Sequence, residues 1–515
     1  MNAGKNNHSR KKTTLWNFFF LNIGFVISIF NGILIIPLYL HYIDSSLYGA
    51  WLATGNILTW ITVVDPGVGD VLLQKVAFAI GKNDKKEIGA AIASGILISA
   101  GLFVLSITIG YAFSFFIGDL ANINKLYRDD IISAFRIALW GTAFGLLADT
   151  FRNIVLAYQK TKLNGMFLYS VIVIAIILNI VLLILHFGVF ALAYAALFRG
   201  LATFGYSLVL TILLIKKNHV HLQFQRTYFK SFSKIFAFTF SSRLFETVAS
   251  NIDLILVARY LGTNAVTVLD LSRRPLKLAT GLANNVTISM LPSLPHLFGS
   301  GQTEKIRATI IRIWTTVLWS SGFLVGGFIL FNYNLTANWV GKQFWVGNSN
   351  NIVMCVSFFL LSIGYNLSNI TYSMGDIRNN SIINVVKSVV YLLFLFVLAK
   401  TMGMTGVLLA FLTPTIIMLL YYPKKVSQEA TLSAQNIKDI VRETFLIILI
   451  MVLAAIIVLL FTIQLSWVGL ILSGCLYTGV FGLLLFSFSS LFRDETAKMF
   501  SLAQLKLGGL RSKNS

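Results

Sequence analysis

The chain has 515 residues, of which 57% are hydrophobic and 12% are charged, and its formal net charge is +22. A soluble domain has about twice that share of charged residues, so this class is excluded. The positive charge does not require a nucleic acid, because basic loops on an anionic membrane leaflet produce the same balance. The two cysteines lack the spacing of a zinc site or a disulfide framework, and we expect no metal and no cofactor.

Apolar stretches alternate with short polar connections along the whole chain. A helix needs about 20 apolar residues to cross a hydrocarbon core, and most of these stretches reach that length. We therefore predict an all-α polytopic membrane protein with fourteen transmembrane helices. In chain order, the predicted spans are 16–40, 48–74, 88–117, 131–156, 164–187, 190–215, 235–259, 264–291, 306–332, 351–374, 381–399, 404–421, 444–463 and 466–492.

Lys and Arg are distributed very unequally over the connections between these spans. If the N-terminus is cytoplasmic, the connections on that side carry 26 Lys and Arg residues and the opposite connections carry four. Because basic residues in short loops favour the cytoplasmic side, we predict that both termini are cytoplasmic. No phosphate loop of the GxxxxGKS/T type is present, so we expect no ATP motor in this chain.

Weak internal similarity relates the two halves of the chain. The stretch 152–164 resembles 368–380 at an offset of 216 residues, and 39–40 resembles 260–261 at an offset of 221. Repeated halves are common in transporters, so we predict two six-helix lobes around a central cavity; chance similarity among apolar segments is the alternative. The predicted parts are an N-lobe over 1–215, a cytoplasmic linker over 216–234, a C-lobe over 235–421, and two C-terminal helices with a cytoplasmic tail over 422–515.

Polar and charged side chains inside the predicted spans are the candidates for a binding site, because a charge in a bilayer is costly and normally faces protein or water. Arg273, Arg274 and Lys277 fall on one side of the eighth span, where only Asp270 is close enough in sequence to compensate them. We expect either an anionic substrate or distant acidic partners at this cluster. The candidate substrate-binding residues are Arg273, Arg274, Lys277, Arg243, Lys387, Arg199, Arg136, Asn284 and Asn384.

Acidic residues in or beside the spans are candidates for coupling transport to an ion. These candidates are Glu246, Asp253, Asp270 and Asp65. A structural role is the alternative for each, since Glu246 and Asp253 share a helix face with Arg243 and could neutralise it. Arg152 lies three residues after Asp149, and this spacing predicts a structural ion pair between them.

The second span contains residues that do not fit a continuous helix. Pro66, Gly67 and Gly69 should break or kink it near its cytoplasmic end. A break leaves backbone N–H groups without helical partners, and the side chain of Asp65 can accept hydrogen bonds from them. Helix termination is therefore an alternative to ion coupling for Asp65.

Short motifs in both halves connect the sequence to a known family. They are Ile36-Pro37-Leu38-Tyr39, Leu47-Tyr48-Gly49-Ala50-Trp51, Val64-Asp65-Pro66-Gly67-Val68-Gly69-Asp70 and Asn251-Ile252-Asp253-Leu254-Ile255-Leu256-Val257. With these motifs, residues 15–430 resemble the polysaccharide transporters of the Wzx type. That family belongs to the MOP superfamily, with the MATE drug exporters and the lipid II flippases. Pro66 and Asp70 depart from the family's third motif.

The resemblance implies a MATE-like fold and a flippase rather than an enzyme. Its substrate would be an undecaprenyl-diphosphate-linked oligosaccharide, a repeat unit of O-antigen, capsule or exopolysaccharide, moved across a bacterial inner membrane by alternating access. A polysaccharide polymerase and a chain-length regulator are the implied pathway partners. The intramembrane cations agree with this substrate on physical grounds, because Arg and Lys bind concentrated phosphate charge well.

Two other classes of function remain open at this point. A MATE-like exporter of small solutes, coupled to H+ or Na+, would be expected to have an acidic cavity, whereas the charges inferred here are mainly positive. A membrane enzyme such as a polymerase or a glycosyltransferase would be expected to have a large extracytoplasmic loop or an acidic metal-binding motif. The sequence contains neither feature.

Overall fold

The computed structural model describes residues 16, 19–20, 23–24, 26–62, 65, 67–226, 247–249, 251–290, 303–460 and 466–497. Every regular element in these residues is a helix, as predicted for an all-α chain. Within the same residues, nine helices are long and apolar enough to cross a membrane. The chain is therefore a multi-pass membrane protein.

The chain divides into two compact units, residues 1–270 with 384–407 and residues 271–383 with 408–515. The helices of the first unit are α1 (Ile36–Tyr42), α2 (Ser45–Thr62), α3 (Val68–Gly81), α4 (Lys85–Ser114), α5 (Ile117–Leu120), α6 (Lys125–Ala157), α7 (Thr161–Ile184), α8 (Val189–Lys217) and α9 (251–261). The helices that lie wholly in the second unit are α11 (Thr303–Trp339), α12 (Asn348–Ser373), α14 (Leu412–Glu429), α15 (Ala434–Leu459) and α16 (Trp467–Phe488). Two helices, α10 (Thr263–Met290) and α13 (Ile377–Ala410), carry residues of both units. The predicted lobes, 1–215 and 235–421, stay a prediction.

The predicted second span is two helices, α2 and α3. Gly67 has φ +99°, a left-handed conformation that glycine adopts without a steric penalty. The backbone N–H groups of Gly67 and Val68 donate to Asp65 Oδ1 at 2.8 and 2.9 Å. The predicted break is confirmed, and Asp65 caps the start of α3.

The first predicted span is also irregular. A π-helical segment, Phe30–Leu34, precedes α1. Pro37 lies in the first turn of α1, where its missing N–H leaves no helical hydrogen bond unmade. Such π-helical turns are frequent at functional sites, and this one lies beside residues that line a cavity described below.

Several helices extend beyond the predicted spans into polar sequence. The predicted connection 422–443 is mostly helical, since α14 ends at Glu429 and α15 begins at Ala434. Ser433 and Asn436 form a capping box at the start of α15. In α13, only Gly403, with φ +58°, interrupts the helix between the predicted eleventh and twelfth spans.

In the second unit, the two C-terminal helices pack against α11. Glu443 of α15 is fully buried and accepts hydrogen bonds from Trp319 Nε1 at 3.2 Å and from Ser489 Oγ at 2.9 Å. From α16, the Tyr477 hydroxyl donates to the Phe323 carbonyl at 2.9 Å. These bonds join α11, α15 and α16 into one packed group.

Candidate functional site

The first unit contains a cavity of about 540 Å³ between α1, α2, α7, α8 and the segment that precedes α1. Its polar and aromatic lining residues are Ser28, Asn31, Tyr39, Trp51, Tyr169, Asn179 and Arg199. Among the described residues that line this cavity, Arg199 is the one that carries a charge, and its side chain is accessible. We name this space the Arg199 cavity. It offers hydroxyl, amide and aromatic groups around one guanidinium.

A second cavity of about 350 Å³ lies between α6, α7 and α8. It shares Ile172, Ala196 and Arg199 with the Arg199 cavity, so this arginine stands where the two cavities meet. Asp149 and Arg152 line the second cavity and form an ion pair, with Arg152 Nη2 2.9 Å from Asp149 Oδ1. The ion pair predicted from their spacing is confirmed.

Asn179 is a buried polar residue in the lining of the Arg199 cavity. Its Nδ2 donates to the Tyr39 hydroxyl at 2.6 Å. Its Oδ1 has no hydrogen-bond partner among the residues that the structure describes. A buried amide that keeps an acceptor unused is uncommon, and such groups are often completed by a ligand or water.

Two glycines bring α6 and α8 together beside Arg199. A Cβ atom added to Gly200 would overlap the carbonyl of Gly141, and one added to Gly141 would overlap the carbonyl of Ala196. Small residues allow transmembrane helices to approach this closely. The position of Arg199, adjacent to Gly200 in α8, therefore depends on this contact.

Arg136 of α6 is the other cationic candidate in the first unit, and it lies away from Arg199 and its cavities. Its Nε donates to Ser114 Oγ at 3.0 Å, and its guanidinium stands over the rings of Tyr111 and Phe115, at 4.7 and 5.3 Å from their centroids. It lines neither of the two cavities above. These contacts fit a packing role at the end of α4.

The predicted cationic cluster lies in α10 around Pro275. Arg273 is buried, Arg274 is half-buried and Lys277 is exposed. Each of the three has an interaction partner. The three cations thus differ in exposure, and their role as one binding cluster stays a prediction.

Asn284, further along α10, belongs to a polar cluster with α12 in the second unit. Its Oδ1 accepts hydrogen bonds from Ser362 Oγ at 2.9 Å and from Asn366 Nδ2 at 2.8 Å. Asn366 is itself buried, and its Oδ1 has no hydrogen-bond partner in the described part of the chain. The sequence placed Asn284 on a polar stripe but did not identify these partners.

The remaining described candidates lie on α9, α10 and α13. Asn384 and Lys387 are half-buried in α13, and Lys387 has an interaction partner. Asp253 of α9 is buried and Asp270 of α10 is half-buried, and both have partners. Arg243 and Glu246 lie outside the described residues. Among those that are described, no group of three or more His, Cys, Asp or Glu side chains is arranged to hold a metal ion.

Several residues of the Arg199 cavity were not among the predicted site residues. Asn31 and Asn179 stand out as amides within apolar stretches, which was a usable signal. Ser28 and Tyr169 gave no such signal, because serine and tyrosine are common in membrane helices. Their contribution depends on how α7 and α8 pack, which local spacing does not show.

Comparison with known proteins gives the fold. No protein-family model and no curated protein matches the sequence. Among solved structures, the chain is similar to the lipid II flippase MurJ in an inward closed conformation, with a TM-score of 0.69 and 15% identity over 94% of this chain and 99% of that chain.

Two further structures come from transporters of the MOP superfamily. An inward-facing multidrug resistance MATE transporter matches with a TM-score of 0.62 and 18% identity, over 79% of this chain and 96% of that chain. A transporter from Pyrococcus furiosus, described as having a binding pocket of reverse polarity, matches with a TM-score of 0.56 and 17% identity, over 82% of this chain and 96% of that chain. This protein therefore has a MATE-like fold, the fold that these transporters share.

Proposed function

We propose that the protein is a flippase that moves an undecaprenyl-diphosphate-linked oligosaccharide across a bacterial inner membrane by alternating access. The observation that carries the proposal is the position of Arg199, an accessible cation that lines the Arg199 cavity and the adjoining cavity between α6, α7 and α8. Arginine binds phosphate oxygens with two parallel hydrogen bonds, so a diphosphate suits this position. The surrounding amides, hydroxyls and aromatic rings suit sugars.

The likeness to a lipid II flippase supports a lipid-linked substrate. The match covers 94% of the chain, so it must extend past residue 421, where the predicted C-lobe ends. It therefore includes part of the two C-terminal helices. The MATE transporter matches a smaller share of this chain, 79%. A polysaccharide polymerase and a chain-length regulator are the proposed pathway partners, and both termini are proposed to be cytoplasmic.

A MATE-like exporter coupled to H+ or Na+ is the second candidate function. The likeness to MATE transporters and the buried Asp253 favour it. The charge of the Arg199 cavity favours an anionic rather than a cationic substrate. Because the Pyrococcus transporter is described as having a pocket of reverse polarity, pocket charge is a property that differs among proteins of this fold.

The proposal is tested with purified protein in vesicles that contain a fluorescent undecaprenyl-diphosphate-linked oligosaccharide. Translocation is measured as access of a sugar-modifying enzyme added outside. We expect the wild type to translocate without ATP. Arg199→Ala should slow translocation about tenfold or more, because a hydrogen bond to a charged group contributes about 1.5–3 kcal/mol. Arg199→Lys should retain part of the rate, since it keeps the charge but loses the bidentate geometry.

Arg378→Ala is the matched control, because Arg378 is exposed and forms no ion pair with any described residue. It should translocate like the wild type. Failure of the wild type to translocate the lipid, together with export of a cationic drug, would favour the MATE-like function. Normal translocation by Arg199→Ala would remove Arg199 from the site and leave the flippase function standing.

A further inference from the structure

The end of α14 stands between two cavities of the second unit. One has a volume of about 560 Å³ and apolar walls that include Trp314, Ile440 and Val441. The other has a volume of about 590 Å³ and is lined by residues of α13 and α14. Lys424 and Gln428, one helical turn apart, line both cavities. The predicted orientation places this end of α14 at the cytoplasmic surface of the membrane.

Two consecutive lysines at this position differ in their partners. Lys425 Nζ is 2.8 Å from Glu429 Oε1 and 3.8 Å from Asp376 Oδ2. Lys424 is exposed and forms no ion pair or side-chain hydrogen bond with any residue in the described ranges. Its positive charge therefore stays available at the opening of both cavities.

Apolar surface surrounds this cation. Leu420 is 75% exposed on α14, and Ile437 and Val441 are 41% and 47% exposed on α15. Near the membrane surface, such side chains are expected to contact lipid acyl chains, because exposure of apolar surface to water is unfavourable. A ligand that fits has an anionic head and an apolar body.

We infer that Lys424 binds the headgroup of an anionic bilayer phospholipid whose acyl chains lie in the two adjoining cavities. Basic pockets between transmembrane helices on the cytoplasmic side suit such headgroups. Gln428 supplies further hydrogen-bond donors at the same opening. A free phosphate ion would leave the apolar walls uncovered, so the lipid accounts for both features. This inference does not depend on which substrate the protein transports.

The test uses the purified full chain in mixed micelles of phosphatidylglycerol and phosphatidylcholine in equal amounts, with no polyprenyl lipid present. Retained lipids are counted by native mass spectrometry. We expect the wild type to retain phosphatidylglycerol preferentially. Lys424→Gln should reduce this preference about fivefold, which corresponds to about 1 kcal/mol, the contribution of one basic residue near an anionic surface. Lys424→Arg should keep the preference.

Lys400→Gln is the control, because Lys400 is exposed and its part of α13 is predicted to lie on the side of the membrane opposite to Lys424. It should leave the preference unchanged. Val441→Trp, which fills one cavity, should lower the retention of both lipids while all the charges stay in place. The inference is overturned if the wild type shows no preference for phosphatidylglycerol or if Lys424→Gln keeps the preference of the wild type. It is also overturned if Lys400→Gln lowers the preference as much as Lys424→Gln does. Equal retention of both lipids by Val441→Trp and the wild type would overturn the placement of the acyl chains.

Discussion

At the scale of single residues, cations inside the spans have the strongest functional implications. Placing one arginine at the centre of a membrane helix costs about 2.5–3.5 kcal/mol on insertion scales. Arg273 is buried in α10, and its neighbour Arg274 is half-buried. Both have interaction partners in this conformation. Under the proposed function, an anionic substrate would compete with those partners during transport.

This competition leads to a prediction for the cationic cluster. The Arg273, Arg274 and Lys277 triple Ala variant should abolish production of the surface polysaccharide, because this cluster, predicted from the sequence as a second group of cations for the anionic substrate, would lose all three charges. Lysine at the two arginine positions should restore part of it, since charge returns without the bidentate geometry. The measurement is complementation of a flippase-deficient strain.

Protein level in the membrane is measured in the same cells, and Arg378→Ala again serves as the exposed control. Normal polymer production by the triple Ala variant would eliminate the cluster as part of the substrate-binding site. Loss of the protein itself would instead indicate that these cations stabilise the fold through their partners. The lysine variants separate the two outcomes, because a folding role needs charge but not two parallel hydrogen bonds.

Some residue roles could be predicted from the sequence because they depend on close neighbours in the chain. The Asp149–Arg152 ion pair and the capping by Asp65 both join groups within three residues of each other. The hydrogen bond between Asn179 and Tyr39 joins residues 140 positions apart. Contacts at such separations depend on which helix faces meet, and one sequence does not contain that information.

At the scale of helices, the contact between α6 and α8 positions the candidate site. These helices meet through the backbone at Gly141 and Gly200, with no room for a side chain. A Cβ atom at either position must push the helices apart. Because Arg199 immediately precedes Gly200, such a displacement would also change the cavities that it lines.

Gly200→Ala should therefore lower both thermal stability and translocation. Overpacking of this kind costs about 1–3 kcal/mol. The experiment measures the temperature at which the purified protein loses its monodisperse peak in size-exclusion chromatography, and the translocation rate in vesicles. Both quantities should fall relative to the wild type.

Gly205→Ala is the matched control in the same helix, since nothing lies within 4 Å of a Cβ atom added there. It should keep the stability and rate of the wild type. Equal behaviour of Gly200→Ala and Gly205→Ala would contradict the close contact between α6 and α8.

Helix positions were easier to predict than helix ends. The predicted spans 164–187 and 190–215 lie within a few residues of α7 and α8. By contrast, α15 begins ten residues before its predicted span, because hydropathy marks where apolar residues begin and the helix starts earlier, at a capping serine. Helix formation needs backbone hydrogen bonds and caps, which polar residues such as those in 434–443 also permit.

At the scale of the whole molecule, the unequal distribution of basic residues predicts the orientation in the membrane. Reporter domains attached after Asn122, Trp345 and Thr401 should report the periplasm, and those after Asn83, Gln225, Gln428 and Leu510 should report the cytoplasm. The physical reason is the preference of Lys and Arg in short loops for the cytoplasmic side. Reporter activity and protein level are measured together.

Reversed signals at two or more of these sites would show that the predicted count or order of spans is wrong. The compact units divide the chain at other residues than the predicted lobes, which stay a prediction. The class of fold could be predicted from apolar periodicity and short motifs. The substrate could not, because one fold supports many functions and specificity depends on a few side chains.

The length of α11 has a consequence for how the protein fits its bilayer. Its 37 residues extend over about 55 Å, whereas a hydrocarbon core is about 30 Å thick. The helix must therefore tilt within the membrane or extend beyond the headgroups. Glu304 and Arg307 form an ion pair at its first turn, which suits an aqueous position. The depth of the molecule in membranes of different thickness is therefore set by interfacial side chains rather than by the length of this helix.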